Sequence, residues 1–149
     1  RTKSNWYVKT LAKTPVQDAF VVVPDKQDPA YRTLYVLRDN DVWKTRISTT
    51  TLPFNAQWDR VTKGGNVKGD FQISADGSTV YALDLSGTII KWQNGSWEEL
   101  NGEGIFTSAL QVVDDNLIYA LGRADGQVYK CEPPTGKLSV SSAYGEIQN

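Results

Sequence analysis

The chain has 149 residues, of which 40% are hydrophobic and 22% are charged, and this size and composition suit one globular domain. Lysine and arginine number 16 against 17 aspartate and glutamate residues, so the net charge of −1 lacks the positive surplus that nucleic-acid binding requires. The absence of histidine and the single cysteine, Cys131, exclude a Ser-His-Asp triad, an internal disulfide and a cysteine-based zinc site within this chain.

Four short β-type segments form a first predicted unit, residues 18–61. The segments are Ala19–Val23, Thr33–Leu37, Val42–Ile47 and Trp58–Val61. The first segment is apolar throughout, which predicts a strand buried on both faces, and it is too short to cross a membrane. Asp39 and Asn40 predict a turn between the second and third segments, and the polar stretch 48–57 precedes the fourth.

Two more units repeat this succession, residues 70–100 and 108–140. The strands predicted in the second unit are Asp70–Ser74, Thr79–Asp84, Thr88–Trp92 and Ser96–Leu100. The strands predicted in the third unit are Ser108–Val113, Leu117–Leu121, Gln127–Cys131 and Lys137–Val140. Asn94-Gly95 between two β-type runs predicts a hairpin turn, which we favour over N-glycosylation at Asn94-Gly95-Ser96. No long stretch carries apolar residues at helical spacing.

The three units contain nearly the same tetrapeptide. It occurs as Leu34-Tyr35-Val36-Leu37, Val80-Tyr81-Ala82-Leu83 and Ile118-Tyr119-Ala120-Leu121, and the tyrosines are 46 and 38 residues apart. A repeat of about 40–50 residues built from short strands is typical of a β-propeller blade. We therefore predict an all-β fold of about three four-stranded antiparallel blades, with the repeated tyrosines packed between blades.

Several motifs recur in the pattern of a known repeat. They are Asp28-Pro29, Leu34-Tyr35-Val36, Trp43-Lys44-Thr45, Trp58-Asp59-Arg60-Val61 and Trp97-Glu98-Glu99-Leu100. This pattern resembles the repeats of sortilin-like and sialidase-type β-propellers, which carry the Asp-box or BNR-like sequence. Ser74–Thr79 is close to the Asp-box but is one residue short. Tectonin-type lectins and pyrroloquinoline-quinone-type repeats have a similar succession of strands and stay open as alternatives.

Three blades are fewer than the four to eight with which propellers typically close. Residues 1–149 are therefore expected to form one partial propeller domain, with an additional outer strand at Asn5–Val8 around Trp6. Four arrangements would cover the open blade faces: a longer polypeptide, a dimer that closes a ring, a hetero-assembly, or an open arc sealed by a partner. We expect a protein partner or self-association through these open blade edges, and neither nucleic-acid binding nor membrane insertion.

The pattern favours a non-catalytic binding or assembly module, because rigid blades present loops to partners. No catalytic residue, cofactor or metal is predicted. Trp43 and Trp92 end third strands and are candidates for ligand contact. Asp18 and Asp70 precede first strands, where a carboxyl group can face a central channel.

Two other functions stay open: a carbohydrate-binding lectin with exposed aromatic residues, and part of a glycoside hydrolase in which Asp18 or Asp70 supplies a carboxyl group. The resemblance and the Thr-, Ser- and Asn-rich loops imply a location outside the cell or on its surface.

Overall fold

The computed structural model describes residues 20–48, 50, 57–101, 106–114, 117–122, 127–132 and 137–140. These residues form twelve β-strands and no helix, which confirms the predicted all-β class. Each predicted strand from residue 19 onward overlaps an observed strand, because β-type runs bounded by turn residues are strong local signals. The segment around Trp6 and the candidate residue Asp18 lie outside the described residues.

The strands form three separate four-stranded antiparallel sheets, each with its strands in chain order. The first sheet contains β1 (Phe20–Pro24), β2 (Tyr31–Arg38), β3 (Asp41–Ser48) and β4 (Asp59–Arg60). The second contains β5 (Val67–Ile73), β6 (Val80–Asp84), β7 (Ile89–Gln93) and β8 (Ser96–Asn101). The third contains β9 (Phe106–Asp114), β10 (Leu117–Gly122), β11 (Val128–Glu132) and β12 (Lys137–Val140). None of these sheets closes into a barrel.

Two hairpin turns have backbone conformations that fix the pairing of their strands. Asp39 and Asn40 have φ values of 53° and 60°, and Asn94 and Gly95 have φ values of 55° and 82°. Positive φ at both central residues is the mark of a type I′ turn, which suits the right-handed twist of the flanking strands. The turns predicted at these two places are therefore confirmed.

Two apolar clusters hold the three sheets together. Strand β6 contributes to both, because its side chains alternate between the two faces of the second sheet. Val80 and Ala82 belong to the cluster shared with the first sheet, whereas Tyr81 and Leu83 belong to the cluster shared with the third. All four residues are at most 2% exposed. The second sheet is therefore buried on both faces and packs against a neighbouring sheet on each side.

The repeated tyrosines follow this arrangement. Tyr35 lies in the cluster between the first and second sheets and Tyr81 in the cluster between the second and third, so these two pack between sheets as expected. That the sheets are propeller blades stays a prediction. Tyr119 is half-buried on the third sheet. Cys131 is 1% exposed and belongs to the second cluster, as expected of a lone apolar cysteine.

The prediction that β1 is buried on both faces is wrong. Val21 and Val23 pack against the first cluster, but Phe20 and Val22 are 69% and 47% exposed. Side chains of a strand alternate between faces, so only one face of this edge strand is covered. The uniform apolar run therefore leaves a hydrophobic strip on the surface.

A buried carboxylate fixes the connection between the first and second sheets. Asp41, which is 0% exposed, accepts hydrogen bonds from the guanidinium of Arg60 and, at 2.8 Å, from the hydroxyl of Thr62. It also accepts from the Gly65 amide at 2.9 Å, and the Thr62 hydroxyl accepts from the Val42 amide at 3.0 Å. A buried charge is costly unless donors surround it, and these donors come from β4 and the segment leading to β5. The network therefore holds that segment against β3.

Replacing Arg60 with methionine should lower the free energy of unfolding by about 2–3 kcal/mol, because the buried Asp41 loses its charged partner. Arg38→Met is the matched control. The Arg38 and Arg60 guanidinium groups lie 5.8 and 5.6 Å from the centre of the Trp43 ring, but Arg38 forms its ion pair with the exposed Asp39. The control should lose less than about 1 kcal/mol. Urea denaturation measures both losses, and equal values would contradict the role assigned to the Asp41 ion pair.

Candidate functional site

The second and third sheets are joined at their first strands by side chains of β5 that bind the backbone of β9. The Asp70 carboxylate accepts a hydrogen bond from the Leu110 amide at 3.1 Å. The Gln72 carboxamide donates to the Leu110 carbonyl at 3.2 Å and accepts from the Val112 amide at 2.7 Å. Strand β9 is at the edge of its sheet, so its outward backbone groups need partners of this kind. We call these four residues the β5–β9 joint.

Asp70, a predicted ligand residue, thus has a structural position in this joint. Burial raises the pKa of its carboxyl group, while hydrogen bonds from the Leu110 and Phe71 amides act in the opposite direction. The carboxylate that was expected to face a channel therefore connects two sheets. Its role as a ligand residue stays a prediction.

Asp70→Asn should gain stability relative to the wild type as the pH rises from about 3 to about 6. With a raised pKa, the folded chain binds more protons at this carboxyl than the unfolded chain does above pH 3.8. This difference lowers the wild type's free energy of unfolding as the pH rises, and asparagine does not titrate. Urea denaturation of both proteins across this pH range gives the difference between their free energies of unfolding. A change in favour of the wild type at higher pH would show that hydrogen bonding to the charged form outweighs burial.

The two predicted ligand tryptophans lie on different sheets. Trp43, on β3, is half-buried near the Arg38 guanidinium, and its indole N–H donates to the Arg38 carbonyl at 3.2 Å. Trp92, on β7, packs against the cluster between the first and second sheets and meets Trp97 edge-on, with ring centres 5.3 Å apart. Trp92 therefore takes part in packing between sheets. Ligand binding stays a prediction for both residues.

The predicted ligand residues are spread over the described structure. Trp43, Trp92 and Asp70 lie on β3, β7 and β5, and Asp18 falls outside the described residues. Within the part of the chain that the structure describes, no three His, Cys, Asp or Glu side chains are grouped so that they could hold a metal ion. The same residues include no helix of the length and hydrophobicity needed to span a membrane.

A cleft of about 530 Å³ lies beside the turn between β5 and β6 and the end of β9. Lys26, from the turn after β1, also lines it. The wall combines polar side chains such as Ser78 and Gln93 with apolar side chains such as Ile73 and Val113. A concave site of this size with mixed walls is suited to a small molecule.

The Tyr81 side chain lines this cleft and carries a hydroxyl group without a partner. Among the described residues, the Tyr81 hydroxyl is the one buried side-chain polar group that has no hydrogen-bond partner. Tyr81 is 1% exposed, and an unsatisfied buried hydroxyl costs about 1–3 kcal/mol. A ligand oxygen that reached this group would recover part of that cost.

The turn at the rim of the cleft is held by its own side chains. The Asp76 carboxylate accepts hydrogen bonds from the Ser78 hydroxyl at 2.7 Å and amide at 3.0 Å, and from the Ser74 hydroxyl at 2.7 Å. These bonds, above all that from the Ser78 hydroxyl, hold the pKa of Asp76 well below its usual range. Gly77 has a φ of 76°, and a Cβ there would lie 3.3 Å from the Tyr35 hydroxyl. The sequence that is close to the Asp-box thus forms a tight turn against the first sheet.

The outward faces of the first and third sheets carry exposed side chains. Phe20 and Val22 form the exposed apolar strip on β1, and Ala109 and Gln111 on β9 are exposed as well. Because Leu110 packs in the second cluster, the alternation of β9 turns Ala109 and Gln111 away from the second sheet. We call Phe20 and Val22 the leading face, and Ala109 and Gln111 the trailing face.

No protein-family model matches this chain, and no curated protein sequence matches it significantly. The likeness to sortilin-like and Asp-box repeats therefore stays a prediction that rests on the motifs quoted above.

Two residues that organise the structure could not be identified from the sequence alone. Asp41 follows two turn residues and is indistinguishable from them by type. Gln72 left no signal at a fixed sequence spacing. Gln72 and Gln111 lie nine and eight residues before their tetrapeptide tyrosines, and their equivalence is visible only in the pairing of the strands.

Proposed function

We propose that this chain is a non-catalytic binding and assembly module, built from propeller-type blades, that associates with a protein partner through its outward sheet faces. The observation that carries the proposal is the packing of the second sheet, which buries one face against each neighbour. One repeated tetrapeptide supplies both faces, because its alternate residues point in opposite directions.

The packing has a direction along the chain. In the first sheet Tyr35 faces the cluster that contains Ala82 of the second sheet. In the second sheet Tyr81 faces the cluster that contains Ala120 of the third. Each tyrosine is thus directed to the following sheet. A chain whose three sheets follow this order has a leading face at one end and a trailing face at the other. Neither face belongs to the two clusters between its own sheets.

The leading face favours association. Phe20 and Val22 are 69% and 47% exposed, and apolar side chains that neighbour one another on a surface are typical of interaction sites. Covering them removes apolar area from water, which contributes about 25 cal/mol per Å² before the entropic cost of binding. A partner with a matching sheet face would therefore bind there.

The non-catalytic character and the location belong to the same proposal. The sequence has no histidine for acid–base chemistry, and the Asp70 carboxylate is engaged by the Leu110 amide. A location outside the cell or on its surface is supported by the motif resemblance and by the loop composition.

The native mass of the protein isolated from its natural source tests this proposal. We expect an assembly larger than the 16.6 kDa of one chain, composed of several copies or of this chain with a partner. Light scattering gives the mass, and mass spectrometry identifies the components. A native species that contains one copy of this chain and nothing else would contradict the proposal.

Carbohydrate binding in the cleft is a second candidate function, favoured by the Tyr81 hydroxyl. The cleft also presents the hydroxyl groups of Ser78 and Thr79 beside apolar Val113. Sugars combine hydroxyl groups with apolar ring faces, so a wall of this composition suits them.

Titration with glucose, galactose and N-acetylglucosamine, followed by calorimetry or NMR, tests the second candidate. We expect one sugar to bind and Tyr81→Phe to weaken that binding by about tenfold without loss of stability, because the hydroxyl has no protein partner. Tyr35→Phe is the control, since Tyr35 does not line the cleft. Failure of all three sugars to bind, or equal effects of the two variants, would contradict carbohydrate recognition at Tyr81.

A further inference from the structure

We infer that the partner is a second copy of this chain, whose leading face packs on the trailing face of the first copy in the register of the β5–β9 joint. The inference rests on the proposed assembly function and adds the identity of the partner and the contacts that select it. It follows from a correspondence between strands of the three sheets.

Gln111 occupies the place in the third sheet that Gln72 occupies in the second. Gln72 pairs with Tyr81 across β5 and β6, and Gln111 pairs with Tyr119 across β9 and β10. Gln72 is half-buried in the joint, whereas Gln111 is exposed. The trailing face therefore carries the same hydrogen-bonding side chain at the same position, facing away from the second sheet.

Strand β1 offers the backbone groups that this carboxamide requires. The Asp25 amide donates to the Tyr31 carbonyl at 3.3 Å, and every second pair along β1 and β2 repeats this bonding. Val21 and Val23 therefore direct their N–H and C=O groups to β2. Phe20 and Val22, which alternate with them, belong to non-bonded pairs and direct theirs to the outer edge of the sheet.

Phe20 and Val22 correspond to Leu110 and Val112 in the repeat. In both sheets these residues pair with the third and first residues of the tetrapeptide, respectively. When two chains dock, the Gln111 carboxamide donates to the Phe20 carbonyl and accepts from the Val22 amide, as in the β5–β9 joint. Because these two backbone groups have a fixed spacing, the contact selects one register.

Apolar contact accompanies these hydrogen bonds, and one polar contact is missing. Docking covers Phe20 and Val22 of one copy, which are 69% and 47% exposed in the single chain. Asp70 lies two residues before Gln72, and the residue two before Gln111 is Ala109. The contact between chains therefore lacks a carboxylate for the first amide and is weaker than the joint within the chain.

The contact is head to tail, so the second copy keeps its own trailing face for the leading face of the first. Two such contacts close a ring of two copies. That ring has six sheets, from three per chain, which lies within the four to eight blades typical of closed propellers.

Sedimentation velocity of the purified chain and of three variants tests the contact. Gln111→Ala and Phe20→Asp should each raise the Kd of the dimer by about tenfold or more, because the first removes the carboxamide that binds β1 and the second places a carboxylate in the apolar contact. Leu85→Asp is the matched control. Leu85 is 55% exposed in the turn between β6 and β7 and belongs to neither face, so this variant should dimerise like the wild type.

A fourth variant should act in the opposite direction. Ala109→Asp supplies the carboxylate that the contact lacks and should lower the Kd of the dimer by about threefold to tenfold. Circular dichroism verifies that each variant keeps the β-sheet spectrum of the wild type, so that a change in mass reports association.

Mixing the two disrupted variants tests the head-to-tail geometry. Phe20→Asp keeps an intact trailing face and Gln111→Ala an intact leading face, so an equimolar mixture has one intact contact and should form dimers that neither variant forms alone. A contact between two identical faces would give no such recovery.

The possible outcomes separate the inference from the proposed function. A purified chain that stays monomeric while its native form contains a different partner overturns the inference and leaves the proposed function in place. Dimers that are insensitive to both face variants, or filaments instead of a closed dimer, also overturn it. A native species that is a lone single chain contradicts both.

Discussion

The register of the third sheet against the second depends on one interaction, the binding of an edge strand by side chains. Gln72 donates to the carbonyl of Leu110 and accepts from the amide of Val112, two residues further along β9. A carboxamide can satisfy both groups in one register, because the spacing of backbone groups along a strand is fixed. The same register determines which apolar residues meet in the second cluster, and it sets the wall of the cleft where Val112 and Ile73 lie.

The strands and the alternation of their faces could be predicted from the sequence because both are local properties. The tetrapeptide at Val80–Leu83 shows its strand by residue type, and a period of two assigns its faces. Burial of β1 on both faces could not be predicted reliably, since an apolar run gives no sign of whether a neighbouring element covers Phe20. The β5–β9 joint and the Asp41 network were inaccessible for the same reason, because both join residues that are distant in sequence.

The candidate residues show, in chemical terms, why contacts between distant residues could not be predicted from the sequence. Asp70 was identified as a carboxyl group at the start of a strand, but its partner, the Leu110 amide, is 40 residues away. Trp92 was identified as an aromatic residue at the end of a strand, and its neighbour Trp97 belongs to the packing of the sheet. Residue type indicates which groups a side chain is able to bind. The fold decides whether another group of the protein is already bound to that side chain.

Hydrogen exchange at the Leu110 and Val112 amides is the sharpest test of the β5–β9 joint. Both amides should be protected in the wild type, although they point away from β10, and Gln72→Ala should accelerate exchange at Val112 far more than at Leu110, where Asp70 still accepts. Exchange at both amides as fast as in the exposed turn at Asn94 would contradict the joint. The third sheet would then have to be held by apolar contact alone.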